Sequence, residues 1–177
     1  MARNNVWVIS DTHFGHKNIL SFKDKDTGDA IRGKVFSSID EMDETLIDNW
    51  NRVVKPGDKI YHLGDVFFGN KQDFIQKWNR LNGKKRLILG NHDDATFFMK
   101  NNLVSRIGVW RLFPEYNLVL THVPLHDTVL TENRFKGKVG INIHGHIHHN
   151  PSPTENHRNV SVENINYTPV NIEEFIL

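Results

Sequence analysis

The residues of this chain that could do chemistry are polar side chains that directly follow short apolar segments. Asp11 and His13 come after the apolar residues 6–10, and Asp65 comes after residues 59–63. The full set of such side chains is Asp11, His13, Asp65, Asn91, His92, His122, His146 and His148. Open α/β sheets carry functional groups at the carboxyl ends of their strands, so we expect these side chains to converge on one crevice.

Two pairs within this set have a spacing that suits metal binding. Asp11 and His13 are two residues apart, so in extended backbone both side chains point the same way and can hold one ion. His146 and His148 have the same spacing. The chain has no cysteine, which excludes thiolate ligands and leaves oxygen and imidazole nitrogen as donors. These donors suit manganese, iron, zinc or nickel and fit calcium poorly.

Hydrophobic patterning predicts the elements that must position these side chains. Ser38 and Glu41 form a capping-box pattern ahead of apolar residues at helical spacing, which predicts a helix that ends before the turn at residues 55–58. A second amphipathic helix places Phe74 and Trp78 inward. Apolar runs predict strands over residues 6–10, 59–63, 86–89, 104–109, 118–121, 139–144 and 159–163.

Other residues are assigned from their local patterns. Residues 23–34 are polar and lack periodicity, which predicts a mobile excursion that could cover the site, and residues 126–138 are the second segment that could shape it. His16, three residues after His13, could contact a substrate phosphate or pack within its loop. Arg134 could clamp a phosphate or base, or belong to a solvated basic surface. His62 lies within a strand and is interpreted as a core residue. The four tryptophans, Trp7, Trp50, Trp78 and Trp110, are also assigned to the core.

Length and composition limit the class of protein. A chain of 177 residues with 38% hydrophobic content is long enough for one buried core, which predicts a single domain over residues 1–177. The net charge of +1, from 22 Lys and Arg against 21 Asp and Glu, does not favour a nucleic-acid partner. The apolar run near the N-terminus is too short for a signal peptide or a membrane span, so we expect a cytoplasmic protein with no membrane partner. The oligomeric state is left open.

The polar motifs resemble those of the calcineurin-like metallophosphoesterases, in particular the small single-domain bacterial and phage members. The matching blocks span residues 6–148 in the family's order, and they are Asp11-x-His13, Gly64-Asp65, Gly90-Asn91-His92-Asp93, His122 and Gly145-His146-x-His148. The resemblance implies an α/β (α+β) fold, a four-layer α/β/β/α sandwich with two mixed β-sheets. This fold agrees with the order of elements predicted above.

The resemblance also implies a role for each residue of the motifs. Two divalent metal ions are expected, with Mn²⁺ the first choice and Fe, Zn or Ni as alternatives. One ion is held by Asp11, His13 and His148, the other by Asn91, His122 and His146, and Asp65 bridges both. His92 is not a ligand and is expected to protonate the leaving oxygen or to stabilise charge on the phosphate. Asp93 is expected to orient the His92 imidazole.

The reaction implied is hydrolysis of a phosphoester by a metal-bridging hydroxide. The expected substrate is a small phosphodiester, with nucleotides and cyclic nucleotides as candidates. A phosphomonoesterase or a nuclease of the same family is the alternative within this reaction class. The alternative from another class is a non-catalytic, metal-binding scaffold for protein interactions, which is disfavoured because every ligand position is present.

Overall fold

Two mixed β-sheets form the framework of the chain, as described by a computed structural model for residues 5–131 and 140–176. The strands are β1 (Val6–Ile9), β2 (Lys59–His62), β3 (Lys84–Ile88), β4 (Ile107–Gly108), β5 (Trp110–Phe113), β6 (Leu118–Thr121), β7 (Ile141–His144), β8 (His157–Asn159) and β9 (Val170–Asn171). The first sheet has the order β4-β3-β2-β1-β9 and the second the order β5-β6-β7-β8. β1 to β4 are parallel and β9 is antiparallel to β1. β6 to β8 are parallel and β5 is antiparallel to β6.

Alternation along the strands divides the core into two layers. Successive side chains of a strand point to opposite faces of its sheet. In β1, Ile9 packs against the helices while Val8 faces the second sheet. The same alternation recurs in β2, where Ile60 faces the helices and Tyr61 the second sheet. Both faces of the first sheet are therefore covered, as a parallel sheet requires.

Helices cover the outer face of the first sheet. They are α1 (Ile39–Val53), α2 (Lys71–Asn79) and α3 (Ala95–Lys100), with α4 (Asp127–Thr131) elsewhere in the chain. Ser38 caps α1 by accepting a hydrogen bond from the Glu41 N–H. The Glu41 carboxylate accepts from the N–H and hydroxyl of Ser37, at 2.7 and 2.6 Å, so the capping box closes one residue before the predicted position. Trp50 and Trp78 are buried and meet edge to face between α1 and α2.

Several short elements differ from the predicted pattern. Helix α3 and strand β5 were not predicted, and the run over residues 104–109 contributes only the two-residue β4. Trp110 is 60% exposed, so its assignment to the core is wrong. Trp110 is the first residue of the edge strand β5, and its side chain points away from the first sheet. The run over residues 159–163 forms a 3₁₀ turn, Val162–Asn164, after the shorter strand β8.

The outer face of the second sheet is polar. Asn142 donates to the Thr121 hydroxyl at 2.9 Å and accepts from the Leu125 N–H, while His157 bonds the Leu125 carbonyl oxygen. The chain from Leu125 into α4 covers this face, so in the described residues the expected fourth layer is one short helix with its loops. The predicted α/β class with two mixed sheets is confirmed. Within residues 5–131 and 140–176, no helix combines the length and apolar content needed to cross a membrane.

Candidate metal centre

The polar residues that follow five strands converge at one edge of the two sheets. They lie in the turns after β1 (Asp11 and His13), β2 (Asp65), β3 (Asn91 and His92), β6 (His122) and β7 (His146 and His148). These turns contact one another directly. The His146 N–H donates to Asp11 Oδ2 at 2.9 Å, and the His92 N–H donates to Asp65 Oδ1 at 3.1 Å. Carboxylate oxygens thus tie the turns together around the centre.

Left-handed backbone aims most of these side chains. Positive φ angles occur at Asp11 (57°), His13 (52°), Asp65 (55°), His146 (70°) and His148 (51°). Such conformations cost about 1–3 kcal/mol for residues other than glycine and cluster at functional sites. The extended backbone assumed in the sequence prediction is therefore wrong at both pairs. The members of the second pair also separate, since they join different donor groups.

The first donor group consists of Asp11, His13 and His148, whose ligand atoms lie within 4.8 Å of one another. Asp11 Oδ1 and His13 Nε2 are buried and have no hydrogen-bond partner among the described residues. Buried polar atoms without partners are costly, and a cation placed between them would satisfy both. Burial lowers the pKa of His13, which keeps its imidazole neutral and able to donate a lone pair. These donors fit a divalent metal ion.

The second donor group consists of Asp65, His122 and His146. His122 Nε2 lies 3.2 Å from His146 Nδ1 and 3.0 Å from Asn91 Oδ1, so the amide oxygen belongs to the same cluster. The Leu63 carbonyl oxygen lies 2.7 Å from His122 Nδ1, which fixes the ring with Nε2 toward the cluster. Asp65 Oδ2 lies 3.6 Å from His122 Nε2 and 4.0 Å from His13 Nε2, between the two groups.

Two residues without a predicted role, Arg32 and Glu163, support the first donor group. Glu163 Oε1 lies 2.9 Å from His148 Nδ1 and 2.8 Å from an Arg32 nitrogen. Arg32 is fully buried and donates to the carbonyl oxygens of Asp11 and Thr12. Burial raises the pKa of Glu163, but Arg32 and His148 outweigh it and hold the pKa at about 2. A carboxylate behind a ligating histidine is a recurrent feature of metal sites.

The position of Arg32 corrects the expectation for residues 23–34. This segment was expected to be a mobile excursion, yet its arginine is anchored beneath the metal centre by three contacts. No local pattern in the sequence distinguishes Arg32 from the other charged residues of this segment. Its partner Glu163 lies 131 residues away, so their contact could not be predicted from neighbouring residues. Glu163 itself falls within the predicted strand over residues 159–163, but its role required the structure. Sequence reasoning therefore missed this support.

Asp93 has a different set of contacts from the one expected. Its carboxylate accepts hydrogen bonds from the N–H groups of Asp65 (2.9 Å), Val66 (3.0 Å) and Gly90 (2.8 Å). Within the described residues, these backbone groups and not the His92 imidazole are its hydrogen-bond partners. Asp93 therefore joins the turns after β2 and β3, and the expectation that it orients His92 is not met. Burial raises its pKa.

The remaining candidates lie beside the centre or outside the described residues. His92 is exposed and its ring meets the edge of Phe68, with centroids 4.8 Å apart. The His16 ring stacks on Phe68 at 4.4 Å, and its Nδ1 lies 3.2 Å from His13 Nδ1. Arg134 lies outside the described residues. His62 is buried and bonds the Thr12 hydroxyl at 2.9 Å, in agreement with a core position.

Comparison with known proteins identifies the family of this chain. The family model for calcineurin-like phosphoesterases matches residues 5–168. The uncharacterized protein MJ1445 of Methanocaldococcus jannaschii is 36% identical, over 98% of this chain and 90% of that protein. The Gene 66 protein of Mycobacterium phage L5 is 28% identical, over 82% of this chain and 78% of its own length.

A solved structure resembles the chain over nearly its full length. The protein of unknown function AQ665 from Aquifex aeolicus has a TM-score of 0.73 and 27% identity, with 98% of both chains covered. The family match spans every strand-end motif, from Asp11 to His148. This chain therefore belongs to the calcineurin-like phosphoesterase family and is a metal-dependent phosphoester hydrolase.

Proposed function

We propose that this chain is a phosphodiesterase that acts on nucleotide-like substrates with two divalent metal ions, Mn²⁺ being the first choice. The observation that carries the proposal is the pair of donor groups with one carboxylate between them. In the proposed assignment one ion would be held by Asp11, His13 and His148 and the other by Asn91, His122 and His146, with Asp65 contributing to both. A cytoplasmic location belongs to the same proposal.

The chain's own residues supply binding, orientation and a proton. When bound, a pair of divalent ions lowers the pKa of a coordinated water and neutralises charge on the phosphate. His92 lies outside both donor groups and is exposed, so its imidazole is available to donate a proton to the leaving oxygen. Its backbone N–H is bonded to Asp65 Oδ1, which holds the residue beside the bridging carboxylate.

The space beside the first donor group supports a diester substrate. A cavity of about 610 Å³ begins at His16 and Phe68, next to His13. Its lining combines aromatic, amide and charged side chains, among them Phe14, Lys17, Asn18, Asn70, Asp73 and Lys77. A nucleoside presents a flat ring, hydroxyl groups and amino groups, which this lining can contact. A diester needs room for a second alcohol, and this cavity provides it.

The proposal is tested with purified protein, Mn²⁺ and a panel of nucleotide monoesters, linear diesters and cyclic diesters. We expect the diesters to be hydrolysed with a higher kcat/KM than the monoesters, and Asp65→Asn to lose both bound metal and turnover. A preference for monoesters would contradict the substrate assignment. Absence of hydrolysis with Mn²⁺, Fe²⁺, Zn²⁺ and Ni²⁺ alike would contradict the proposed reaction and favour the scaffold alternative.

A further inference from the structure

A second cavity lies at the opposite end of the sheets from the metal centre. Its volume is about 300 Å³, at the lower end of the range for small-molecule sites. Val6 and Lys59, the first residues of the parallel strands β1 and β2, line it together with side chains of β3 and β5. The metal-centre residues follow the carboxyl ends of the same parallel strands. None of the donor residues lines this cavity, so the two sites are distinct.

Three cationic side chains converge on this cavity, Lys59 from β2, Arg86 from β3 and Arg111 from β5. Within the described residues, none of these three forms an ion pair with a carboxylate. A cationic side chain on a protein surface ordinarily lies apart from other cations and is surrounded by water. Here three elements from two different sheets direct positive charge into one concave space.

Aromatic rings hold both guanidinium groups in place. Arg86 donates to the Tyr61 hydroxyl at 2.5 Å and its guanidinium lies 5.3 Å from the Tyr61 ring centroid. Its Nε is buried and has no hydrogen-bond partner in the part of the chain that the structure describes. The Arg111 guanidinium lies 5.1 Å from the Phe113 ring centroid. Aromatic faces attract a cation without cancelling its charge, so both groups are preorganised to receive an oxyanion such as phosphate.

The rest of the lining narrows the class of ligand. Phe113 and Tyr116 present nearly parallel rings, with centroids 6.2 Å apart. Two carboxylates, Glu115 and Glu173, also line the cavity. They disfavour a bare anion and can accept hydrogen bonds from hydroxyl or amino groups. A ligand with an anionic end, a flat ring and hydrogen-bond donors matches all of these features.

We propose that this cavity is a second binding site, separate from the metal centre, for a phosphorylated nucleoside. The phosphate would lie against Arg86, Arg111 and Lys59. The base would lie beside Tyr116, with the sugar hydroxyls toward the carboxylates. Charge-assisted, bidentate hydrogen bonds from arginine to phosphate oxygens would supply most of the affinity. The proposal stands on this cavity alone and does not depend on the substrate of the metal centre.

The test is calorimetric titration of the EDTA-treated, full-length protein with AMP, adenosine and inorganic phosphate as probes. We expect AMP to bind more tightly than either fragment. Arg86→Gln and Arg111→Gln should each weaken AMP binding at least about tenfold, the loss of one good charge-assisted contact. Arg106→Gln, an exposed arginine outside the cavity, is the matched control and should bind AMP like the wild type.

Each outcome supports or overturns the proposal. Arg111 is exposed, so Arg111→Gln provides a readout even if Arg86→Gln does not fold. Phosphoesterase turnover of Arg111→Gln should equal that of the wild type, and a parallel loss of turnover would overturn the separation from the metal centre. The proposal also fails if AMP does not bind, if Arg111→Gln binds it unchanged, or if phosphate alone binds as tightly, which would indicate an adventitious ion only.

Discussion

At the scale of single residues, His92 separates metal binding from chemistry. It lies next to the donor residue Asn91 but outside both donor groups. We expect His92→Asn to bind metal like the wild type and to lose about 10²–10⁴-fold in kcat, the usual contribution of a general acid. Elemental analysis of bound metal, made on the same samples as the kinetics, checks this prediction. A wild-type kcat in the variant would show that His92 takes no part in catalysis.

Glu163 allows a second residue-scale prediction. Glu163→Gln leaves the buried Arg32 without a countercharge and removes the carboxylate behind His148, so the first donor group should lose about 10–100-fold in metal affinity. The second donor group should keep its affinity. Mn²⁺ titration followed by electron paramagnetic resonance distinguishes one weakened site from two. Glu155→Gln, at an exposed carboxylate, is the control, and equal affinities in both variants would refute the role.

The sequence predicted the donor residues better than the contacts that support them. The donors follow apolar runs, and this local signal is enough to find Asp11, Asp65 or His122. Arg32 and Glu163 lie 131 residues apart and belong to segments with no common pattern. Likewise, no local signal distinguishes an Asp93 that binds backbone N–H groups from one that binds an imidazole. Contacts between residues far apart in the sequence determine the role of the Arg32–Glu163 pair and the role of Asp93.

At the scale of elements, close approach of the turns after β1 and β7 is essential to the centre. A Cβ added at Gly145 would collide with the Ser10 hydroxyl and Asp11 Oδ2. Gly145→Ala should therefore displace the Asp11 carboxylate and weaken metal binding at least about tenfold, because a misplaced ligand loses its coordination geometry. The helices and sheets should remain, since the collision is confined to the turns.

Metal titration together with far-ultraviolet circular dichroism tests the Gly145 prediction. Gly28→Ala is a suitable control, because a Cβ at Gly28 meets no atom within 4 Å, although its positive φ of 74° makes some local strain unavoidable. Unchanged metal affinity in Gly145→Ala would show that the turns after β1 and β7 can move apart without weakening metal binding. Loss of the circular dichroism signal in Gly145→Ala alone would show instead that Gly145 is needed for the sheets to fold.

Element prediction succeeded where burial creates a clear pattern and failed where it does not. Helix α1 was predicted from apolar residues at helical spacing, and strands β1, β2 and β6 were predicted from short apolar runs. Strand β5 was missed because its exposed Trp110 and Arg111 do not resemble a buried strand, and the edge position allows this. The turns that aim the donors adopt left-handed backbone, which residue type alone does not indicate for Asp or His.

At the scale of the whole molecule, buried histidines make stability depend on pH. Burial lowers the pKa of His62 to about 3, below its ordinary value of 6.5. Between these values the unfolded chain binds a proton that the folded chain does not, so stability falls as pH decreases, by at most about 1.4 kcal/mol per pH unit for this group. His62→Gln should flatten the profile.

Urea unfolding of the EDTA-treated protein at several pH values between about 7 and about 5 measures this slope. Chelation removes the separate contribution of bound metal. The slope should not vanish in His62→Gln, because burial also lowers the pKa of His144 to about 4. If stability depends on pH equally in the wild type and in His62→Gln, then His62 does not contribute to the pH dependence of stability.

The placement of β1 between β2 and β9 has a consequence for how the protein is made. A ribosome releases the chain from its N-terminus, so β1 emerges long before β9, which pairs with it through Trp7 and Val8. The donor groups likewise draw on residues from Asp11 to His148, with Glu163 later still. The first donor group is therefore complete only after His148 has been synthesised, and the second only after His146. Incomplete translation products that end before His148 lack a donor of the first group, so we expect them not to assemble that metal site.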